Sequence, residues 1–255
     1  MGLDLIICGS DEIWNLKNPD VGDEFFFAKN ISAKKKITYA VSAGNCELQQ
    51  LIDASYPCQA IKNFDEILVR DEHTRKIVEA ITGRKVEKVC DPTFLVNMEN
   101  LISNKKHIKE KYMLVYSYYV PEGIIKNIQK YAKKNGLKIV AATIKQSFAD
   151  INIFVNPLQF VDIVKNAQCI YTSTLHGSIF SILNMKRTVF NAPFIKVEEL
   201  IDTLGQTDRI VDENVSYDEF EKILNTPIDE RSTTERINAM RQKSQNTIKA
   251  LLKEI

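Results

Sequence analysis

The chain has 255 residues, of which 44% are hydrophobic and 26% are charged, a composition typical of a folded globular protein. Its net charge of +1 gives no general attraction to nucleic acid, and no apolar run reaches the roughly 18 residues that a transmembrane segment requires. The first residues have no signal-peptide pattern, and the five cysteines form no CxxC pair and no metal-site spacing, so we expect a cytoplasmic protein with buried thiols and no metal.

Nine short apolar runs alternate with helical patterns along the chain, which indicates parallel α/β sheets. The predicted strands are residues 4–8, 37–42, 67–70, 86–90, 113–117, 137–142, 153–155, 168–172 and 188–190. Helices are predicted over residues 121–135 and 157–167. A third is predicted to begin at a capping box formed by Ser216 and Glu219, and a fourth extends from residue 230 to the end. In that last helix, five apolar residues fall on one stripe: Ile237, Met240, Ile248, Leu251 and Leu252.

A polar stretch over residues 97–111 separates two such patterns. We therefore predict an N-terminal Rossmann-like domain over residues 1–105 and a C-terminal one over residues 106–255, which includes the C-terminal helix. We expect the two domains to face each other across a cleft, and a single doubly wound sheet is the alternative. The first predicted strand opens the chain, so we expect the first domain to be incomplete.

The first two strands end in polar residues. Gly9 permits close backbone approach, and either Ser10 or Asp11 caps a following helix, or Ser10 and its neighbouring amides contact a ligand. The second strand ends in Ser42 followed by Ala-Gly, which is either a plain turn or a second set of ligand groups. Because ligands of open α/β sheets bind at the carboxyl ends of the strands, Ser10 and Ser42 are candidate binding residues.

Arg70 ends the third predicted strand, and its planar guanidinium is suited to hold a phosphate or a carboxylate. The alternative is an ion pair between this arginine and a nearby carboxylate: Asp71, Glu72 or Asp91. Asp91 ends the fourth strand and precedes a proline, which forces an extended or turn conformation. We predict that Asp91 either orients Arg70 or is a hinge residue.

The eighth strand runs into a turn rich in hydroxyl groups, Ser173-Thr174-Leu175-His176-Gly177-Ser178. A helix start has unpaired amides and partial positive charge, so we expect Gly177 and Ser178 to bind an anion. A histidine side chain can transfer protons near neutral pH, so His176 is the candidate general acid and base. Lys196 and Arg209 follow in the sequence, and two roles are open for them. They either face solvent or form structural pairs, or they add positive charge to this site. The pattern indicates an enzyme that acts on a small phosphorylated or carboxylated donor.

The order of these motifs resembles the polysaccharide pyruvyl transferase family, over about residues 4–210. The residues that carry the resemblance are CGSDEIWN at 8–15, YAVSAG at 39–44, VRDE at 69–72, DPTFL at 91–95 and STLHGS at 173–178. The resemblance implies a GT-B-like pair of Rossmann-like domains, here without the usual N-terminal βα unit. Thr174 stands where some members have an arginine, so Lys196 or Arg209 is expected to supply that charge.

The resemblance also implies a reaction. Members transfer a pyruvyl group from phosphoenolpyruvate to two hydroxyls of a sugar, forming a pyruvate ketal on a cell-surface polysaccharide or its precursor. We therefore expect phosphoenolpyruvate as the donor substrate, a sugar or lipid-linked glycan as the acceptor, and no further cofactor. Two alternatives are a nucleotide-sugar glycosyltransferase of GT-B type and a truncated, non-catalytic relative that binds glycans.

Overall fold

The computed structural model describes residues 3–101, 103 and 105–253. Residues 1 and 2, residues 102 and 104 of the predicted polar stretch, and the last two residues of the predicted C-terminal helix lie outside this range. The chain divides into two compact units, Met1–Val96 with Ile237–Ile255 and Asn97–Arg236. This division differs from the predicted domains in two ways, because residues 97–105 belong to the second unit and residues from 237 onward belong to the first.

The first unit is built on four parallel strands, β1 (Leu3–Cys8), β2 (Ala33–Thr38), β3 (Leu68–Val69) and β4 (Glu87–Lys88). β1 pairs with β2 and β3 pairs with β4, and isolated bridges at Ile37–Glu66 and Val41–Val69 join the two pairs in the order β1-β2-β3-β4. Three helices, α1 (Leu48–Asp53), α2 (Tyr56–Lys62) and α3 (Glu72–Thr82), complete this part of the unit.

The predicted helix after β1 is absent from the described residues. Turns follow the strand instead, up to a short 3-10 turn at Glu24–Phe27, so neither Ser10 nor Asp11 caps a helix there. The physical reason is local turn chemistry, because the side chains of Asn15 and Asn18 each accept a hydrogen bond from the backbone two residues ahead. Trp14 is buried, and its indole stacks on Phe27 with the ring centroids 5.4 Å apart.

The second unit contains a five-stranded parallel sheet. Its strands are β5 (Tyr112–Tyr116), β6 (Lys138–Ala142), β7 (Ile151–Ile153), β8 (Cys169–Thr172) and β9 (Arg187–Phe190), in the spatial order β7-β6-β5-β8-β9. The helices are α4 (Glu122–Lys134), α5 (Pro157–Asn166), α6 (Leu175–Leu183), α7 (Ile195–Thr203) and α8 (Tyr217–Asn225). Apolar clusters pack on both faces of the sheet, one with α4 and α8 and the other with α5 and α6. The parallel strands in both units confirm the predicted α/β fold class.

The amphipathic patterns that were read from the sequence place the same residues in the core. The apolar stripe of α4 is buried, and the helix ends before Gly136, which has a φ of 62°. Ser216 caps α8 by accepting a hydrogen bond from the amide of Glu219 at 3.2 Å. The C-terminal helix α9 (Glu230–Leu252) buries Ile237, but Leu252 at the end of the predicted stripe is 46% exposed. Within the described residues, no helix combines the length and the apolarity that crossing a membrane requires.

Candidate active site

Polar side chains gather at the carboxyl ends of the strands in each unit. In the first unit the central residue is Arg70, which directly follows β3 and whose side chain is only 6% exposed. Its guanidinium donates to Asp91 Oδ2 at 3.0 Å and to Asp11 Oδ1 at 2.9 Å. Asp91 is almost fully buried, whereas the side chain of Asp11 is 52% exposed. The structure therefore brings Asp91 onto Arg70, in the position predicted for an orienting residue.

This ion-pair network argues against an anion at Arg70. Burial alone would lower the pKa of Arg70, but the carboxylates of Asp11 and Asp91 outweigh it and raise that pKa. Asp71 adds a third carboxylate nearby, where it caps α3 by accepting from the amide of Thr74 at 2.7 Å. Three carboxylates surround one guanidinium, so a phosphate here would meet net negative charge. The structure contains the ion-pair alternative for Arg70, and a donor-binding role for this residue stays a prediction.

The two predicted serines of the first unit differ in their surroundings. Ser42 is fully buried and its hydroxyl accepts a hydrogen bond from the amide of Gly44 at 3.0 Å, so the turn alternative holds for this residue. Ser10 is half-buried, directly before Asp11. Gly9 has a φ of 137°, and a Cβ at this position would collide with the carbonyl oxygen of Tyr39, so only glycine fits.

In the second unit, β8 leads into α6 through a threonine cap. Thr174 Oγ1 accepts from the amide of Gly177 at 3.0 Å, and the carbonyl of Thr174 accepts from the amide of Ser178 at 3.0 Å. The hydroxyl of Ser178, a fully buried residue, also donates to that carbonyl at 2.9 Å. Gly177 and Ser178 thus use their amides within the cap, which corrects their predicted role as anion donors. In the part of the chain that the structure describes, the amides of Leu175 and His176 have no acceptor.

His176 occupies the second position of α6 and is half-buried. Its imidazole lies beside Phe180, with the ring centroids 6.4 Å apart, and no described residue forms a hydrogen bond with it. The first turn of α6 contains no acidic residue, so the partial positive charge of the helix start is not neutralised locally. This helix start therefore combines free amides, positive potential and a titratable imidazole.

A second histidine provides a direct comparison. His73 holds the same second position in α3, where Nε2 lies 2.8 Å from the carbonyl oxygen of Cys46. There, however, the cap is Asp71 and the first helical residue is Glu72. Two carboxylates repel an anion where Thr174 and Leu175 do not, so the two similar helix starts differ in the ligand that they favour.

A set of hydroxyls surrounds the start of α6. Ser117 Oγ lies 2.5 Å from Ser173 Oγ and donates to the carbonyl of Tyr119 at 2.5 Å, while Gln146 Nε2 donates to the carbonyl of Ser117 at 2.6 Å. A Cβ on Gly177 would collide with the hydroxyl oxygen of Thr172, so glycine is required beside these groups. Sequence reasoning did not include Ser117 or Gln146, although Ser117 ends a predicted strand and shares that signal with the other candidates.

The two predicted cations of this unit occupy different settings. Arg209 is buried, and four of its five N–H groups donate to Gln206 Oε1 and to the backbone carbonyls of Ile223, Thr226 and Pro227. These bonds secure the end of α8, which replaces the predicted donor-site role of Arg209 with a structural one. Lys196 is half-buried in the first turn of α7.

Comparisons with known proteins add a family and a fold. A family model described as polysaccharide pyruvyl transferase matches residues 2–190 of this chain. A search of curated proteins found no match. Three solved structures share the fold, and the chain spans 66% to 75% of their lengths.

The UDP-GlcNAc 2-epimerase from Methanocaldococcus jannaschii is 13% identical over 93% of this chain and 75% of its own, with a TM-score of 0.54. The UDP-GlcNAc 2-epimerase from Neisseria meningitidis is 12% identical over 89% of this chain and 71% of its own, with a TM-score of 0.53. The alpha,alpha-trehalose 6-phosphate synthase from Burkholderia multivorans is 11% identical over 86% of this chain and 66% of its own, with a TM-score of 0.52. The likeness confirms the predicted Rossmann-like fold of GT-B type.

Proposed function

Because the chain belongs to the polysaccharide pyruvyl transferase family, we propose that it transfers a pyruvyl group from phosphoenolpyruvate to two hydroxyls of a sugar, forming a ketal on a polysaccharide or its precursor. The observation that carries this proposal is the start of α6, where the amides of Leu175 and His176 have no acceptor among the described residues and no acidic residue lies in the first turn. A phosphate or carboxylate of the donor is stabilised there by two N–H donors and by the helix dipole.

The first unit supplies a contrast that supports this assignment. Arg70 is already paired with two carboxylates, and α3 begins with Asp71 and Glu72. An anionic donor is repelled by that charge distribution and attracted by the neutral cap at Thr174. We therefore propose that the donor binds at the start of α6.

The proposed reaction has three steps. A proton is delivered to the methylene carbon of phosphoenolpyruvate, which becomes a methyl group, and the adjacent carbon gains positive character. A sugar hydroxyl attacks that carbon and gives up its proton. The C–O bond to phosphate then breaks, and a second hydroxyl attacks and loses its proton as the ketal ring closes. We assign delivery of the first proton to His176, whose imidazole forms no hydrogen bond with a described residue.

Calorimetry with the full chain tests donor binding. We expect phosphoenolpyruvate to bind, and inorganic phosphate to bind more weakly because it lacks the carboxylate. UDP serves as the third ligand because the solved structures of similar fold include an enzyme in complex with UDP-GlcNAc and UDP. Binding of UDP without binding of phosphoenolpyruvate would replace the proposal with a nucleotide-sugar glycosyltransferase, and a folded chain that binds neither ligand would favour the non-catalytic alternative.

Two matched variants separate the histidine from its position in a helix. His176→Gln is expected to reduce turnover by about 10²-fold or more if the imidazole transfers the proton. His73→Gln, at the same position of α3, is expected to leave turnover and donor binding unchanged. Near-unchanged turnover in a folded His176→Gln protein would remove this residue from the mechanism.

A further inference from the structure

Large aromatic side chains are exposed along the carboxyl edge of the five-stranded sheet. Tyr118 and Tyr119 follow β5 and are 79% and 72% exposed, Phe154 follows β7 and is 80% exposed, and Phe194 follows β9 and is 49% exposed. Aromatic side chains have a large apolar area. Exposed apolar residues that cluster at one edge indicate an interaction surface, whereas single exposed residues scattered over a protein do not. We refer to these four residues as the aromatic edge.

The loop that carries the two tyrosines is fixed by hydrogen bonds. Ser117 Oγ donates to the carbonyl of Tyr119 at 2.5 Å, and Gln146 Nε2 donates to the carbonyl of Ser117 at 2.6 Å. The loop therefore presents its aromatic rings from an ordered backbone. Pre-ordering of this kind reduces the entropy that binding must overcome.

The other two aromatic residues also extend from anchored segments. Asn152 in β7, two residues before Phe154, exchanges two hydrogen bonds with the backbone of Gln146, at 2.8 and 3.0 Å. Asn191, three residues before Phe194, bonds through its amide and its side chain to backbone carbonyls of the neighbouring segments, at 3.0 Å each. All three segments are thus tied to the sheet.

The strand order sets the extent of the aromatic edge. β7 and β9 are the outer strands and β5 is the central one, so the aromatic residues are distributed across the whole sheet. With about 4.8 Å between neighbouring strands, the row covers about 19 Å, which exceeds the length of a single sugar ring. β8 lies between β5 and β9, so the start of α6 with His176 falls within the row rather than beyond its end.

The chemistry of these segments favours a neutral glycan over other occupants. Residues 117–121, 154–156 and 191–194 contain no Asp, Glu, Lys or Arg, and the basic residues beside them are Lys145 after β6 and Lys196 after Phe194. An anionic membrane surface or a nucleic acid would be held by basic residues among the aromatic ones. A sugar ring instead presents an apolar C–H face, which fits an aromatic ring.

We propose that the aromatic edge binds an oligosaccharide, with Tyr118, Tyr119, Phe154 and Phe194 stacking on successive sugar rings of one chain. The assignment of this oligosaccharide as the acceptor rests on the proposed function, because a chain that crosses from β5 to β9 passes His176. The substrate is then an assembled glycan of several sugars, and a free monosaccharide occupies only part of the surface.

The test is a length series of neutral oligosaccharides. Chains of one to six sugars, built from β-1,4-linked N-acetylglucosamine, α-1,4-linked glucose or β-1,4-linked galactose, are titrated into the full chain and followed by calorimetry and saturation-transfer NMR. We expect at least one series to bind, with affinity rising tenfold or more from one sugar to four. Absence of binding in all three series, or affinity independent of length, would overturn the proposal.

Variants assign the binding to the aromatic edge. Tyr118→Ala and Phe154→Ala are each expected to weaken binding of the longer chains fivefold or more, and both side chains are so exposed that the fold is retained. Phe25→Ala is the matched control, because Phe25 is 65% exposed but lies in the first unit. Equal losses in the control would overturn the assignment.

Two further measurements separate this proposal from the proposed function and from other occupants. Phenylalanine and tyrosine variants that lose glycan binding are expected to bind phosphoenolpyruvate normally. If the unaltered chain binds glycans but does not bind phosphoenolpyruvate, that result contradicts the proposed function and leaves the glycan-binding surface in place. Flotation with vesicles of phosphatidylcholine and phosphatidylglycerol tests the membrane. Vesicle binding that Tyr118→Ala abolishes, without glycan binding by the unaltered chain, would assign the surface to lipid and refute the oligosaccharide.

Discussion

Replacing Asp91 with asparagine tests how strongly one buried ion pair stabilises the first unit. The side chains of Arg70 and Asp91 are 6% and 3% exposed, and their closest atoms lie 3.0 Å apart. Asparagine has nearly the same shape and keeps an oxygen for the amide of Thr93, which Asp91 Oδ1 now accepts at 3.0 Å. The substitution therefore removes both the charge and the acceptor opposite Arg70, because the second side-chain atom of asparagine is an NH2 group.

The expected magnitude follows from burial. Removing one partner of a buried ion pair costs about 3–5 kcal/mol, because the remaining charge is left without compensation. Asp11 continues to pair with Arg70, so we expect the lower end, about 3 kcal/mol, or roughly a 100-fold change in the unfolding equilibrium. Asp11→Asn removes the other carboxylate, but that side chain is 52% exposed, and we expect less than about 1 kcal/mol.

Tryptophan fluorescence during urea denaturation measures this difference. Trp14 is the only tryptophan of the chain, it is fully buried, and it belongs to the first unit, so its emission reports unfolding of the unit that contains Arg70. The two asparagine variants act as controls for each other, since they alter the same guanidinium from two sides. Equal free energies of unfolding for Asp91→Asn and Asp11→Asn would refute the reasoning that burial decides the strength of these pairs.

Three further predictions concern glycine, arginine and cysteine positions. Gly177→Ala places a methyl group against the hydroxyl of Thr172, so we expect the free energy of unfolding to fall by about 1–3 kcal/mol and phosphoenolpyruvate to bind more weakly. Thermal unfolding and calorimetry measure the two effects, and unchanged values would contradict the close contact. Arg209→Lys is expected to lower the free energy of unfolding by about 2 kcal/mol and to speed hydrogen exchange in α8, while the affinity for phosphoenolpyruvate stays unchanged. Loss of that affinity with normal hydrogen exchange would show instead that Arg209 binds the donor. Burial raises the pKa of Cys169 to about 12, which makes its thiolate scarce at pH 8. We therefore expect iodoacetamide to label the half-buried Cys58 first and Cys169 only after unfolding, and mass spectrometry of the labelled protein checks this order.

The strands and the amphipathic helices were accessible from the sequence because their signals are local. All nine predicted strands exist, although the second begins at Ala33, four residues before its predicted start. The stripe of α4 was recognised from its apolar spacing, and the same residues are buried in the structure. Leu252 was placed on the stripe of α9 by the same spacing, but burial depends on what a helix packs against, and that information is not local.

The division into units shows a similar limit. The polar stretch over residues 97–111 indicated a boundary in the right region, and the structure places it at residue 97. The return of the C-terminal helix to the first unit depends on contacts far apart in sequence, such as the hydrogen bond from the amide of Cys90 to Ser244 Oγ at 2.9 Å. The spacing of apolar residues and the composition of the sequence do not predict such a contact.

The sequence by itself determined the α/β class, the alternation of strands and helices, and the family, because the hydrophobic period and the short motifs at strand ends are properties of neighbouring residues. Only the tertiary structure decided which polar groups remain available for a ligand. Arg70 and Arg209 have the same side chain as an anion-binding arginine, but their guanidinium groups are bonded to protein groups up to 59 residues away along the chain. The free amides at Leu175 and His176 likewise depend on which hydroxyl caps the helix, and that competition is settled by packing.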